Sequence, residues 1–444
     1  MPFSQLPTQL SSWLHALAWP LDRRSAPRLL LLLLGALFAR GRRTVTSWFR
    51  ACGITHQFRH AYNALRAAGR AAGWVAARLL RWALAPLMAP CRRLVFALDD
   101  TPTPRWGPWV QGCGIHHNPS PGPAGEKFLY GHVWVSLAWL GSHPLWGVLS
   151  LPLLALLYVR KKDVPELNAQ TPWAFRTKLQ LAADLVRWLL DWLPFRGKSV
   201  WLVVDGFYAK RPFLRPLKGW GVVVVSRLRK DADLRDVPPG KRPKGRRGPA
   251  PTYGKSRISL AKRAGQKRGW QSVECVQYGK KVSKKVKSFV ATWRPAGGAI
   301  RVVLVSEEDG WLAFFCTDVT ASAEDVLEVA AARAAIEQAF KDVKEVWGAG
   351  QQQVRNVYAN LGAFNVSLWM HSVVEAWAWG RPEEELVDRS LCPWDRERRR
   401  PSHADKRKAL QRQVLAGQFR AVLGEQAEYE GFHDLAQFLL QLAA

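Results

Sequence analysis

Two aspartates stand directly after runs of apolar, strand-forming residues. Asp99 follows Leu94-Val95-Phe96-Ala97-Leu98, and Asp205 follows Val200-Trp201-Leu202-Val203-Val204. Runs of this length and composition read as buried strands. A third carboxylate, Glu337, lies in a stretch with helical periodicity. Acids at one edge of a sheet, joined by one from a helix packed on it, can converge on a point. The chemistry such a set supports is phosphoryl transfer. Hard oxygen ligands hold two Mg²⁺ side by side, one activating the attacking oxygen and the other stabilising the leaving one. A lone aspartate at a strand end carries little of this, because polar residues end strands routinely.

The segment around Glu337 reads Arg333-Ala334-Ala335-Ile336-Glu337-Gln338-Ala339-Phe340-Lys341-Asp342-Val343-Lys344. At roughly 100° per residue, Arg333 and Lys344 fall about 40° and 20° from Glu337 around a helix axis. One stripe therefore presents cation, carboxylate and cation, while Ile336, Phe340 and Val343 pack away from it. On spacing alone, a solvated face with an Arg333–Glu337 pair one turn apart is the simpler account.

The elements that must position these residues can be read along the chain. Residues 1 to about 90 are rich in Ala, Leu, Arg and Trp and lack β-branched runs, so they read as helical. Thr44, after Gly41-Arg42-Arg43, is placed to cap a short helix. Leu29–Ala39, 11 apolar residues, is too short to span a bilayer. Arg40, Arg42 and Arg43 follow where a leader peptide would be cleaved, so it reads as a buried helix. Leu94–Leu98, stopped by Asp99-Asp100-Thr101-Pro102, forms a meander with Phe128–Trp139 and Leu145–Leu151. Pro172–Leu193 has helical periodicity, and Ser199–Val204 and Gly221–Ser226 read as further strands. Alternating runs at Val273–Tyr278, Val286–Trp293, Ile300–Ser306 and Trp311–Cys316 suggest a small antiparallel unit inserted into this sheet. One long helix is expected over Ala321–Val346, with Ser322 as its N-cap, and a second over Val354–Trp379. The chain after Gly380 is polar and charged.

Composition narrows the partner. The 444 residues carry 65 Lys+Arg against 35 Asp+Glu, a net charge of +30, with 48% hydrophobic residues. That excludes general disorder and calls for a polyanion, nucleic acid before an anionic membrane surface. From Ser226 to Arg268 there are 15 Lys/Arg against three Asp. Lys230, Lys241, Arg242, Lys244, Arg246 and Arg247 in this stretch read as a clamp on a DNA backbone. The turn Gly348–Asn356, with three Gln and Arg355, either binds phosphate ahead of the next helix or caps that helix. The 23 Trp build core or stack on bases; Trp220, Trp270, Trp293 and Trp347 are the candidates for stacking. The six cysteines have neither zinc-knuckle spacing nor the density of a disulfide scaffold, which suits a reducing cytoplasm. Nucleophile-elbow and Walker motifs are absent, so acyl transfer and ATP hydrolysis have no support.

Taken together, these residues resemble the DDE transposases of bacterial insertion sequences, whose catalytic core is ribonuclease-H-like. One branch carries a Tyr-x2-Arg-x3-Glu-x6-Lys signature. Arg333, Glu337 and Lys344 match it from the Arg onward, and Ala330 replaces the Tyr. Asp99-Asp100-Thr101 fits the first acidic motif, with Asp99 as the ligand, and Val203-Val204-Asp205-Gly206 fits the second. The resemblance implies an α/β, ribonuclease-H-like mixed sheet flanked by helices. Residues 1–90 read as a helical N-terminal domain, either DNA-binding or an ordinary helical unit with a solvated basic face, and the resemblance implies a core split into 91–226 and 319–380. A basic β-rich insertion would occupy 227–318, and a polar helical tail 381–444. It implies that Asp99, Asp205 and Glu337 bind two Mg²⁺ or Mn²⁺ ions, and that Arg333, Lys344, Lys341 and Arg355 contact DNA. It further implies a homodimer on paired transposon ends in the bacterial cytoplasm, at the nucleoid, with no membrane partner. A catalytically inactive DNA-binding descendant of such an enzyme is the alternative.

Overall fold

The computed structural model describes residues 6–56, 58–117, 126–239, 250–388, 394 and 399–423. Lys241, Arg242, Lys244, Arg246 and Arg247 lie outside the described residues.

The chain opens with helices α1 (Thr8–Ala18), α2 (Ala26–Phe38), α3 (Val45–Ala51), α4 (Phe58–Arg70) and α5 (Ala72–Leu79). A π turn at Leu80–Leu84 leads into α6 (Ala85–Met88). Thr44 caps α3 by accepting from the Ser47 amide, and the Leu-rich run is the buried helix α2.

Strands β1 (Arg93–Pro104), β2 (Gly114–His117), β3 (Phe128–His143) and β4 (Gly147–Tyr158) follow. The short α7 (Val164–Asn168) then leads to α8 (Lys178–Trp192), β5 (Ser199–Val204), α9 (Arg211–Gly219) and β6 (Val223–Arg227). Thr177 and Gln180 form a reciprocal capping box at the start of α8. The core strands lie in the order β4-β3-β1-β5-β6. Strands β4, β3 and β1 are antiparallel neighbours, while β1, β5 and β6 run parallel.

β1 does not stop at Asp99. Its parallel pairing with β5 ends at Leu98↔Val204, but its antiparallel pairing with β3 continues from Asp99↔Ser136 to Pro104↔Gly131. The partner on that side is long enough to carry the strand past its two acids.

The insertion contains β7 (Leu234–Arg235), β8 (Arg257–Ile258), α10 (Leu260–Gly265), β9 (Gln271–Gln277), β10 (Lys280–Trp293), β11 (Gly298–Glu307) and β12 (Gly310–Cys316). It extends the central sheet, because β12 pairs antiparallel with β6 and β11 and β10 follow outward.

The expected helix over Ala321–Val346 is two helices, α11 (Ala323–Ala332) and α12 (Ala334–Glu345), which meet at Arg333. Ser322 caps α11 through the Asp325 amide. Then come α13 (Val357–Ala378), α14 (Glu383–Leu386) and α15 (His403–Leu423). α13 is apolar on all sides and buried almost throughout, packed between β4 and α4. The N-terminal helices therefore share one hydrophobic core with α13 and the sheet.

Candidate active site

The strand register positions the two aspartates. Leu98 pairs with Val204 in the parallel β1–β5 ladder, so Asp99 follows that pair on β1 and Asp205 follows it directly beyond the end of β5. Neighbouring strands lie about 4.8 Å apart. Side chains alternate faces along a strand, so Asp99 shares the face of Ala97. Ala97 and Val203 pack in one cluster with Ile336 and Phe340 of α12. Asp99 therefore faces the helix that carries Glu337, and the charge of Asp205 acts on Asp99 from the turn after β5. Ile336, Phe340 and Val343 are buried, as the helical stripe requires.

Asp100 faces the other way, towards α8. Its carboxylate accepts from Lys178 Nζ at 2.6 Å and from the Tyr208 hydroxyl at 3.0 Å. Tyr208 closes the one-turn helix Gly206–Tyr208, whose cap is the Asp205 side chain accepting from the Phe207 amide at 3.0 Å. The sequence contains no spacing signal for this Asp100–Lys178–Tyr208 group, because its members come from three separate elements.

Arg333 joins two of the three acids. Its Nη1 donates to Asp99 Oδ2 and its Nη2 to Glu337 Oε1, both at 2.6 Å. Exposure rises outward across the bridge: the side chains are 15% exposed at Asp99, 28% at Arg333 and 58% at Glu337. Burial pushes the Asp99 carboxyl up to about 7; Arg333 opposes this, while the charges of Asp100 and Asp205 add to it. Burial likewise raises the Tyr208 hydroxyl, with Asp100 and Asp99 in support.

The cationic residues are more dispersed. Lys341 is exposed one turn beyond Glu337. Lys344 is half-buried, and burial lowers its ammonium. Lys230 lies over the Trp311 ring at 4.9 Å. Arg355 is exposed ahead of α13, its carbonyl accepting from the Gln111 amide. The Gln-rich turn before it uses its amides internally. Gln351 accepts from the Arg43 amide, buried Gln352 bonds Gly348 and Gly350, and Asn356 caps α13. Trp293 and Trp347 are core residues.

A second polar cluster lies at the far end of α12. Ligand atoms of His371, Glu375 and His403, all buried, fall within 4.8 Å of one another. Hydrogen-bond chemistry assigns them another role. Trp347 Nε1, a donor only, bonds His403 Nε2 at 2.7 Å, so that nitrogen accepts. Nδ1 then carries the proton and donates to Glu375 Oε1 at 2.6 Å. Lys406 Nζ takes Glu375 Oε2, also at 2.6 Å. Both His403 nitrogens and both Glu375 oxygens are occupied, and a buried ammonium already balances the carboxylate. Burial alone would raise Glu375, but Lys406 and His403 outweigh it and hold the carboxyl well below its usual range. The sequence did carry a signal for this pair. Glu375 is the one Asp, Glu, Lys or Arg within α13, and a buried acid needs a buried cation.

A mixed sheet in the order β4-β3-β1-β5-β6, with Asp99 on β1 and Asp205 directly after β5, defines a ribonuclease-H-like α/β fold. The chain belongs to the DDE superfamily endonucleases, whose family model matches residues 17–294. The matched segment spans well over half of the chain, includes Asp99 and Asp205, and ends before Glu337. No curated protein matches the sequence. A nuclease of this superfamily has DNA as its substrate. No helix among the described residues is long and apolar enough to cross a membrane.

Proposed function

We propose that the protein is a DNA transposase of a bacterial insertion sequence, with Asp99, Asp205 and Glu337 as its catalytic acids. The observations that support this reading are the parallel register, after which Asp99 and Asp205 follow directly, and the Arg333 bridge from Asp99 to Glu337. The donor set suits divalent metal. All three side chains offer hard oxygens, and two of them repel each other across adjacent strands. Burial and its acidic neighbours raise the Asp99 carboxyl to about 7 against the pull of Arg333, so a divalent cation there would stabilise its charged form. Mg²⁺ or Mn²⁺ bound there would activate the attacking oxygen and stabilise the leaving oxygen of a phosphodiester.

The chain's own residues orient the DNA. Arg333 offers a planar fork matched to a phosphate, and Lys344 and Lys341 continue the cationic stripe along α12. Arg355 and Lys230 would add backbone contacts, as would Lys241, Arg242, Lys244, Arg246 and Arg247 of the insertion. Contacts of this kind fix register and orientation without reading sequence. A homodimer on paired ends would allow both element ends to be processed together.

The test is cleavage of linear DNA carrying the ends of the element that encodes the chain. Wild-type protein nicks at the ends with Mg²⁺ or Mn²⁺ and not in EDTA. Asp205→Ala and Glu337→Ala each lose about a thousandfold or more, as several kcal/mol of charge stabilisation implies. Cleavage at wild-type rate by either variant overturns the assignment.

A further inference from the structure

We propose that Arg333 is an internal counter-cation that excludes divalent metal from the site until a DNA phosphate takes its guanidinium. The inference rests on the reading of Asp99 and Glu337 as metal ligands and adds a mode of regulation to it.

A single guanidinium makes both 2.6 Å contacts, one to Asp99 Oδ2 and one to Glu337 Oε1. Those are the oxygens that a cation shared by the two acids would use. The arm to Asp99 is partly buried and poorly screened by salt, while the arm to exposed Glu337 is the weaker of the two. A metal entering between the acids must therefore displace the guanidinium. Once displaced, Arg333 needs another anion, and no metal supplies one.

A phosphate supplies it. The fork that bridges two carboxylates fits two phosphate oxygens equally well. Arg333 also occupies the joint between α11 and α12. DNA arriving at the site thus removes the counter-cation and frees both carboxylates. The coupling is reciprocal: DNA raises metal affinity by the factor by which metal raises DNA affinity. The free protein would hold little metal and so would not cut at random.

The test measures Mn²⁺ binding by the electron paramagnetic resonance signal of the free ion, with and without a short duplex DNA in EDTA-treated protein. Without DNA, Arg333→Gln binds Mn²⁺ about tenfold more tightly than wild type, a factor ordinary for coupled sites. Wild type gains a similar factor when DNA is added, and the variant does not. Arg333→Lys keeps the charge but cannot bridge both acids, and it gains part of that affinity. Equal or weaker Mn²⁺ binding by both variants without DNA overturns the proposal. Asp99→Asn separates this from failure of the site itself. If it abolishes Mn²⁺ binding while the Arg333 variants match wild type, only the counter-cation role fails. If Asp99→Asn leaves binding to the DNA-bound protein unchanged, the site assignment fails with it.

Discussion

Replacing Lys406 by Met leaves Glu375 buried without its cation. Glu375 is 4% exposed and Lys406 2%, so water cannot take over the lost contact. Breaking a buried pair from one side costs about 3–5 kcal/mol. The structure bounds that figure independently. A stranded carboxylate can escape by taking a proton, and its ordinary value is 4.5. At pH 7 that escape costs about 3.4 kcal/mol, and at pH 5 about 0.7 kcal/mol, at 1.36 kcal/mol per unit. The sign follows. In wild type the carboxyl is held low, so it contributes stability above its unfolded value and loses it as the pH falls through the folded one. The gap between wild type and Lys406→Met is therefore wide at pH 7 and narrow at pH 5. The assay is urea unfolding followed by tryptophan fluorescence at both pH values. The double variant Glu375→Gln/Lys406→Met removes both charges and is more stable than Lys406→Met alone, a coupling expected for residues in contact. A loss under about 1 kcal/mol at pH 7 refutes the reasoning. So does an equal loss at both pH values, or strict additivity.

Three further outcomes follow from the same geometry. Asp99→Asn is more stable than wild type in metal-free buffer at pH 8, by up to about 4 kcal/mol for a shift of about three units. The wild-type penalty is absent below the ordinary value of 3.8 and complete above about 7, so parallel melting profiles from pH 4 to 8 contradict the burial of this acid. Gly69→Ala would place a Cβ 1.8 Å from the Tyr358 carbonyl oxygen. It should prise α4 from α13 at a cost of at least about 1–3 kcal/mol, and a normal melting temperature would refute that close packing. Tyr208→Phe removes a donor to Asp100 and slackens the link between the turn after Asp205 and the strand of Asp99. Mn²⁺ affinity in the presence of DNA should fall about 10- to 100-fold, as for other outer-layer partners, and calorimetry showing no change would refute the link.

Much of this site could be read from residue types, because buried strands and amphipathic helices announce themselves locally. The runs before Asp99 and Asp205 became β1 and β5, and the apolar stripe of Ile336 and Phe340 became the surface of α12 that packs on the sheet, with Glu337 exposed on the same helix. What escaped depended on partners distant in sequence. β1 runs on to Pro104 because β3 pairs with it there. The acidic motif picked Asp99 over Asp100, but the contacts of Asp99 with Arg333 and of Asp100 with Lys178 and Tyr208 come from elements far apart in sequence. Arg333 and Glu337 were visible as neighbours one turn apart, but the contact to Asp99 crosses from helix to strand. The insertion was legible as β-rich, yet its continuity with β6 depended on pairing. The polar chain after Gly380 gave no hint that α15 returns to the core. There Arg407 bonds the carbonyls of Leu37 and Ala39 at the end of α2 and that of Val346 beyond α12. A buried helix-capping arginine looks, in sequence, like any surface one.

The most direct test of the central claim is the anomalous scattering of Mn²⁺ in crystals of the protein bound to DNA. The account predicts metal peaks between Asp99, Asp205 and Glu337, with Arg333 turned to a phosphate, and none at His371, Glu375 and His403. A peak in the histidine cluster, with none beside Asp99, would contradict it.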